Sequence, residues 1–152
     1  MRQILVPVDF SEPSKAALDY AATLAKKFGA KLDVLHVWES PSFAPHGSDV
    51  ARVGGATEPS LDELIRKGAD AALGAFVEEA QKRGIVVRSS RAQCGVPWHA
   101  IVNAARDGSY DLVVLGTHGR TGLPRVLLGS VAENVVRHAH CPVLSVRTET
   151  TS

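Results

Sequence analysis

Residues 4–13 read ILVPVDFSEP, an apolar run that passes directly into the start of a helix. No polar residue alternates with the apolar ones over residues 4–8, which predicts a strand buried on both faces of a sheet. Pro7 has no N–H to donate, so we expect strand pairing to weaken there. Ser11, followed by Glu and Pro, supplies a hydroxyl cap, an early acid and an early proline, which together indicate a helix N-terminus.

The same alternation of strand and helix continues along the chain. The first helix is predicted to end at Gly29, because glycine tolerates the positive φ of a helix C-terminus. Further strands are predicted over residues 32–37, 85–91, 111–115 and 142–146, and further helices over residues 60–84, 97–108 and 130–138. Ser60, with Glu63 three residues later, reads as a capping box at the start of the helix over residues 60–84. Parallel strands joined by right-handed helical crossovers satisfy this pattern. It predicts an α/β protein with a single doubly wound, open sheet of five parallel strands and helices on both faces; we take the strand order as 3-2-1-4-5.

The chain of 152 residues is expected to form one domain over residues 1–147, followed by a short tail at residues 148–152. Residues 38–59 are rich in proline, glycine and serine and show no period, so we predict a long loop. The sequence leaves open whether this loop covers a ligand as a lid or is disordered.

Composition argues against several classes of partner. Seventeen Lys and Arg residues against sixteen Asp and Glu residues give a net charge of +1, which favours neither nucleic acid nor an anionic membrane. The apolar runs are far shorter than the roughly 20 residues that a membrane span needs. The first three residues enter a strand without a signal peptide, and Cys94 and Cys141 form no CxxC pattern. We therefore expect a cytoplasmic protein whose two thiols are reduced.

The strand order predicts where a ligand binds. In an open parallel sheet, ligands bind beyond the carboxyl ends of the strands, where the order reverses. Here Val8 and Asp9, after the first strand, meet residues 116–119 (Gly-Thr-His-Gly), after the fourth. Asp9 either contacts a sugar or base, or helps to hold Mg²⁺, or turns the chain as an Asx residue. Asp9 lies where the strand order reverses, the topological switch point of the sheet, and this position favours a role in the site.

The glycine-rich loop after the fourth strand ends at Gly129 and Ser130, the start of the last helix. The unpaired N–H groups and partial positive charge of a helix N-terminus suit a phosphate, and Arg120 and Arg125 add charge to the loop. Residues 130–133 also read as a capping box, so the same residues are explained by loop chemistry alone. The sequence contains no GxxxxGK[ST], and no GxGxxG follows the first strand, so neither a P-loop nor a dinucleotide fold is supported.

The spacing Gly116-x2-Gly119-x9-Gly129-Ser130 resembles the nucleotide-binding signature of the universal stress protein family, in its ATP-binding branch. The resemblance extends over nearly the whole chain and is carried by residues 4–11, 95–97, 111–120 and 129–146. It implies an adenine nucleotide alpha hydrolase-like fold with the strand order taken above.

The resemblance further implies that ATP binds at this edge, with Mg²⁺ or Mn²⁺ as an accompanying ion. Adenine would lie against the backbone at His36 and Val37, the adenosine part beside Asp9, and the ribose along Gly116. The phosphates would be held by Gly119, Gly129, Ser130 and Val131. Together, the topology and the resemblance nominate as nucleotide-binding residues Pro7, Val8, Asp9, Ser11, His36, Val37, Gly116, Thr117, His118, Gly119, Arg120, Gly129, Ser130 and Val131.

The resemblance also implies a homodimer paired through the last strand, which starts at Pro142 and ends at Val146. The physical argument agrees, because an exposed apolar edge strand is a liability unless it is paired. An unidentified protein partner remains compatible with the sequence.

Several residues are assigned no catalytic, metal-binding or redox role. His118 has no carboxylate within the motif to orient it, so we assign it no catalytic role. His138, His140 and Cys141 lack the recurrent spacing of zinc ligands, and a helix-terminal role is favoured for the histidines. Cys94 has no clear local cation to activate it.

Trp38 and Trp98 are large enough to stack on a base. Trp38 follows the strand that would border adenine and is the better candidate, but ordinary packing is favoured for both.

The leading hypothesis is an ATP-binding stress-response protein that works as a dimer. Nucleotide binding would regulate the dimer by shifting the populations of its conformations. The alternatives are slow ATP hydrolysis or phosphotransfer, binding of AMP or cyclic AMP, and a partner-binding module with an empty site. We assign no catalytic residue and no metal ligand.

Overall fold

The computed structural model describes residues 1–41, 59–117 and 128–148 of the chain. Strands and helices alternate through these residues. The elements are β1 (Gln3–Pro7), α1 (Glu12–Phe28), β2 (Lys31–Trp38), α2 (Leu61–Lys82), β3 (Ser89–Cys94), α3 (Pro97–Asp107), β4 (Leu112–Gly116), α4 (Ser130–His138) and β5 (Val143–Val146). Most of the predicted loop over residues 38–59 lies outside the described residues.

The strands form one five-stranded sheet in the order β3-β2-β1-β4-β5. Every neighbouring pair is parallel. The predicted fold class and strand order are therefore confirmed. β1 pairs with β2 as far as Pro7, opposite Leu35, whereas its register with β4 covers Ile4 and Leu5. The carboxyl ends of β1 and β4 flank the point where the strand order reverses.

Helices cover both faces of the sheet. The apolar cluster under α1 and α2 includes Ile4, Val6, Leu18, Ala21, Val34 and Val77. The cluster under α3 and α4 includes Leu5, Leu35, Ile101, Val113, Leu115 and Val135. Successive residues of a strand point to opposite faces, so a strand covered on both faces is apolar without alternation.

The helix ends predicted from capping residues are confirmed for α1 and for the start of α2. Ser11 Oγ accepts a hydrogen bond from the Ser14 N–H (3.3 Å) at the start of α1. Gly29 ends that helix with a φ of 66°. Ser60 Oγ accepts from the Glu63 N–H (3.2 Å) at the start of α2. These local bonds satisfy N–H groups that the helices leave unpaired.

The third strand lies further along the chain than predicted. The apolar run suggested a strand over residues 85–91, but β3 spans Ser89–Cys94. The Ile85 N–H donates to the Ala80 carbonyl (3.1 Å), so the chain at this residue is still bonded to the last turn of α2. Val87 packs on the cluster under α1 and α2 outside the strand. β3 is an edge strand with a polar sequence, so the apolar residues before it do not mark its position.

A polar network lies at the amino-terminal ends of the strands, at the opposite end of the sheet from the candidate site. The Asp33 carboxylate is buried and accepts hydrogen bonds from Arg88 (Nε, 2.9 Å, and Nη2), Ser89 (2.8 Å) and Tyr110 (2.7 Å). Arg88 also donates to the Gln3 side chain (2.9 Å). Burial alone would raise the pKa of Asp33, but the hydrogen bonds from Arg88, Tyr110 and Ser89 outweigh it, so that pKa lies below its ordinary value.

Candidate functional site

The ends of β1 and β2 are joined by two hydrogen bonds at the carboxyl edge of the sheet. The Val8 N–H donates to the Leu35 carbonyl (2.8 Å), and the Val8 carbonyl lies 2.8 Å from Nδ1 of His36. A carbonyl oxygen only accepts, so Nδ1 carries the ring proton and Nε2 is an acceptor in the neutral ring. The candidates Pro7, Val8, His36 and Val37 are thus brought together at this edge.

Phe10 lies between these strands and α2, and no signal in the sequence marks it. Its φ of 67° is in the left-handed region, which a bulky residue rarely adopts. Its ring packs on His36 (centroids 4.4 Å apart) and on Phe76 (5.5 Å apart). Such a conformation costs on the order of 1–3 kcal/mol and persists only where the surroundings hold it. The packing of the Phe10 ring on His36 and Phe76 therefore holds the strained turn after β1 in place.

Asp9 and Ser11 form an Asx turn between β1 and α1. Oδ1 of Asp9 accepts hydrogen bonds from the Ser11 N–H (3.0 Å) and from the Ser11 hydroxyl. Asp9 therefore has the chain-turning role considered from the sequence. The turn also fixes the carboxylate at the switch point, so this structural role is compatible with a contact to a ligand.

Gly116 ends β4 where that strand packs on α1. A Cβ atom at this position would lie 2.6 Å from Pro13 Cβ and 3.0 Å from the Pro13 carbonyl oxygen. Contacts this short do not occur between real side chains and backbone, so the close packing itself requires glycine. The nearness of Pro13 is a long-range contact that the motif spacing does not reveal.

Thr117 links β4 to two other elements. Its N–H donates to the Val146 carbonyl of β5 (3.0 Å), and its carbonyl accepts from the Gly129 N–H (2.7 Å). The residue is 3% exposed, and its hydroxyl has no hydrogen-bond partner in the part of the chain that the structure describes. Thr117 therefore holds the start of α4 against the end of β4 while its own side chain stays unsatisfied.

The predicted capping box over residues 130–133 is wrong. Gly129 is the N-cap residue of α4, and Ser130 is the first helical residue. No side-chain cap hydrogen bond is made at this end among the described residues. The Glu133 N–H donates to the Gly129 carbonyl (2.9 Å), and its carboxylate pairs with Arg137 (2.9 Å). Because glycine occupies the cap position, the first turn of α4 offers its N–H groups without a side-chain cap.

The structure brings most of the nominated residues to one edge of the sheet. Those present there are Pro7, Val8, Asp9, Ser11, His36, Val37, Gly116, Thr117, Gly129, Ser130 and Val131. The remaining nominated residues, His118, Gly119 and Arg120, lie outside the described residues, as does Arg125.

The tryptophans differ in their surroundings. Trp98 packs against the cluster under α3 and α4, and its ring lies 4.8 Å from that of His138. Nδ1 of His138 is 2.8 Å from the Asn134 carbonyl at the end of α4, which confirms a helix-terminal role for this histidine. Nε1 of Trp38 is buried and, within residues 1–41, 59–117 and 128–148, has no hydrogen-bond partner.

Cys94 and Cys141 are both free thiols. Over the described ranges, no group of three or more His, Cys, Asp or Glu residues is arranged to hold a metal ion. None of the four helices described above is long and apolar enough to cross a membrane.

Comparison with known proteins gives a consistent assignment. A sequence profile of the Universal stress protein family matches residues 1–147. The chain is 36% identical to universal stress protein MJ0531 of Methanocaldococcus jannaschii, over 96% of this chain and 82% of that protein. It is 34% identical to universal stress protein YxiE of Bacillus subtilis, over 95% of this chain and 98% of that protein.

Solved structures share the fold. The hypothetical protein MJ0577 matches with a TM-score of 0.75 at 27% identity, over 99% of this chain and 98% of that one. A universal stress protein solved in complex with cAMP matches with a TM-score of 0.69 at 28% identity, over 97% of this chain and 98% of that one. The family profile, the relatives and the architecture agree, and the chain belongs to the universal stress protein family.

Proposed function

We propose that this protein binds ATP at the carboxyl edge of its sheet and acts as a nucleotide-regulated dimer in a stress response. The observation that carries the proposal is the N-terminus of α4, which lies at the switch point with Gly129 as its cap and no side-chain cap hydrogen bond among the described residues. A phosphate placed there meets the N–H groups of the first turn and the positive end of the helix dipole. Ser130 and Val131 belong to that turn and are exposed.

The adenosine part has polar neighbours at the ends of β1 and β2. The backbone at His36 and Val37 borders the base, and the Asp9 carboxylate, fixed by its turn with Ser11, faces the sugar. The half-buried His36 ring is held by Val8 and Phe10, which limits its freedom and fixes the edge that the base meets.

We also propose that a divalent ion accompanies the phosphates at the same edge. The carboxylate of Asp9 and the hydroxyls of Ser11 and Ser130 are hard oxygen donors, the type that Mg²⁺ and Mn²⁺ bind. Such an ion would arrive with the phosphates and offset their negative charge. We therefore expect ATP to bind as its Mg²⁺ or Mn²⁺ complex.

Cyclic AMP is the second candidate ligand. The specific observation in its favour is the similar universal stress protein solved in complex with cAMP. The adenosine contacts would be shared by both ligands, so only the phosphate end distinguishes them. Competition of cyclic AMP and AMP against labelled ATP ranks the three nucleotides directly.

The dimer is proposed to pair through β5. This strand forms one open edge of the sheet, and Val143, Leu144 and Val146 in it are only half-buried. The opposite edge, β3, has the polar sequence SSRAQC. An apolar edge left open favours pairing with another strand, and a second copy of the chain offers the same edge.

A cytoplasmic location accompanies this function. It is supported by the two cysteines, both of which are free thiols, because proteins in oxidising compartments commonly pair them.

Calorimetric titration of nucleotide-stripped protein with ATP, with and without Mg²⁺, tests the proposal. Gly129→Val is the informative variant, because its side chain would occupy the approach to the first turn of α4. Gly74→Val is the matched control, since Gly74 lies in α2 and a Cβ there meets nothing within 4 Å. We expect micromolar binding in the wild type and the control, and its loss in Gly129→Val. Absence of binding in the wild type, or equal binding in all three proteins, would overturn the proposal.

A further inference from the structure

A stack of three rings runs from the end of β2 to the helix α2. The Phe10 ring packs on His36 of β2 (centroids 4.4 Å apart, planes tilted by 37°) and on Phe76 of α2 (5.5 Å and 59°). Tilted aromatic pairs at about such separations attract each other. Phe10 and Phe76 also pack on the buried cluster under α1 and α2. The Phe10 ring therefore joins the carboxyl edge of the sheet to α2.

The backbone of Phe10 depends on this packing. Its φ of 67° lies in the left-handed region, where a bulky side chain is strained. Such a conformation persists only where the surrounding contacts hold it. The Ser11 N–H closes the turn around Phe10 by donating to Oδ1 of Asp9 (3.0 Å), and the two ring contacts hold its centre. The position of Asp9, the residue before Phe10, therefore depends on where the Phe10 ring is held.

Two groups of the adenosine end are attached to the same ring. In the proposed function, the Asp9 carboxylate faces the sugar and the backbone at His36 borders the base. Asp9 is bonded to Phe10 through the chain, and the His36 ring lies against the Phe10 ring. A displacement of Phe10 would thus move both groups. The start of α4, which holds the phosphates in the proposed function, belongs to a helix that packs on the opposite face of the sheet from α2.

We propose that Phe76 is a positioning residue of the nucleotide site. It acts through the Phe10 ring on Asp9 and His36, and it couples the packing of α2 to the adenosine end of the site. This inference rests on the proposed nucleotide-binding function. Coupling between two places in a protein is reciprocal, so bound nucleotide in turn holds α2 more firmly around Phe76. α2 is then an element whose local stability reports whether the site is occupied.

Phe76→Leu and Phe76→Tyr separate positioning from general packing. Leucine keeps an apolar side chain and removes the ring, whereas tyrosine keeps the ring. Val77→Ala is the matched control, because it removes buried packing from the next residue of the same helix, outside the stack. Calorimetric titration with Mg²⁺-ATP should show an affinity lower by on the order of threefold to tenfold in Phe76→Leu, and within about twofold of wild type in the other two variants.

The possible outcomes of this titration are distinct. If wild-type protein binds ATP and Phe76→Leu binds it equally well, the positioning role is overturned and the proposed function stands. An equal loss in Val77→Ala would show that the general packing of α2 is responsible, and would also overturn the positioning role. Wild-type protein that binds no nucleotide would overturn both proposals.

Double-mutant cycles identify the end of the nucleotide on which Phe76 acts. Combined with Asp9→Ala, the loss in Phe76→Leu should be non-additive, because Phe76 acts through the group that the first substitution removes. Combined with Ser130→Ala, at the phosphate end, the two losses should add. Additive losses in both cycles, or equal coupling to both residues, would overturn the assignment to the adenosine end.

Amide hydrogen exchange tests the reciprocal effect on α2. With saturating Mg²⁺-ATP, we expect slower exchange around Phe76 in wild type and in Phe76→Tyr, and a smaller change in Phe76→Leu. A purely structural role for Phe76 would alter exchange equally with and without nucleotide. Protection at the start of α4 with no change in α2 would show that nucleotide binds without this coupling, which would overturn the inference and leave the proposed function in place.

Discussion

Gly116 packs so closely on Pro13 that a Cβ atom on the glycine would lie 2.6 Å from the Cβ of the proline. The end of β4 therefore packs directly on the first turn of α1. This contact gives Gly116 a structural reason to be glycine, in addition to any ligand that lies along it. It also joins the two elements that flank the switch point into one unit.

Gly116→Ala is expected to destabilise the protein whether or not nucleotide is present. The added methyl group meets the Pro13 backbone, and overpacking of this kind costs about 1–3 kcal/mol in the free energy of unfolding. Urea unfolding monitored by circular dichroism measures the change. An unfolding midpoint equal to that of wild type would show that the packing at this junction is looser than described.

Gly74→Ala is the control for that experiment. Gly74 lies within α2, and a Cβ there meets nothing within 4 Å. Alanine is a better helix former than glycine, so we expect a stabilisation of about 0.5–1 kcal/mol.

The strand order and most of the fold could be predicted because they depend on local signals. Apolar runs located the strands around the centre of the sheet, and Ser11 and Ser60 located two helix starts. β3 was misplaced because an edge strand needs no apolar residues. The cap of α4 could not be assigned from the sequence because Gly129 and Ser130 are both acceptable N-cap residues. In the structure Gly129 is the N-cap and Ser130 is the first helical residue.

Contacts between distant residues could not be predicted from the sequence. The pairing of Asp33 with Arg88 and the packing of Pro13 on Gly116 depend on how separate elements meet. The left-handed conformation of Phe10 is equally hidden, because that region is normally signalled by glycine or asparagine. At the candidate site, glycine spacing located the edge of the sheet, and the unsatisfied hydroxyl of Thr117 emerged only from its burial.

The Asp33 network predicts an acid-dependent loss of stability. The pKa of Asp33 is lowered in the folded protein, because hydrogen bonds from Arg88, Tyr110 and Ser89 outweigh the effect of burial. A lowered folded-state pKa means that the stabilisation is fully present above the unfolded-state value of about 3.9. It is lost as the pH falls through the folded-state pKa.

Asp33→Asn tests this network. Removing one partner of a buried ion pair costs about 3–5 kcal/mol, and the low end applies because the Arg88 side chain is 39% exposed. We expect the variant to be about 3 kcal/mol less stable at pH 7 and to lose less stability than wild type between pH 5 and pH 3. Parallel stability curves for the two proteins across this range would contradict the account.

The two cysteines are expected to differ in reactivity. Cys94 is exposed, whereas burial raises the pKa of the half-buried Cys141 thiol. Since the thiolate is the reactive form, Cys94 should be alkylated first at pH 7, and Cys141 mainly after unfolding. Peptide mapping after timed iodoacetamide treatment measures both rates. A Cys94→Ser variant should lack the fast phase, and equal rates at the two sites in wild type would contradict the prediction.

Ser145→Pro is expected to prevent pairing through β5. The Pro142 and Val146 carbonyls accept from β4, so the alternation of a parallel ladder turns the Ser145 N–H toward the open edge. Proline removes that donor without breaking a bond to β4. We expect sedimentation analysis to show a dimer for wild type and a monomer for the variant.

Ser90→Pro on β3 is the matched control for the dimer experiment. The Gly95 N–H donates to the Trp38 carbonyl of β2, and in the register that pairs Val34 with Ser90 the alternation of the parallel ladder turns the Ser90 N–H toward the open edge. This variant should remain dimeric. A monomeric wild type, or a dimer that survives Ser145→Pro, would rule out β5 as the seam.

The central claim is that nucleotide phosphate binds at the start of α4, beside the ends of β1 and β4. The most direct measurement is the change in amide NMR shifts when ¹⁵N-labelled protein is titrated with Mg²⁺-ATP. We predict saturable shifts that are largest at Gly129, Ser130 and Val131, with smaller ones at Asp9 and Thr117. No saturable change, or changes confined to β3 and the exposed face of α2, would contradict the claim.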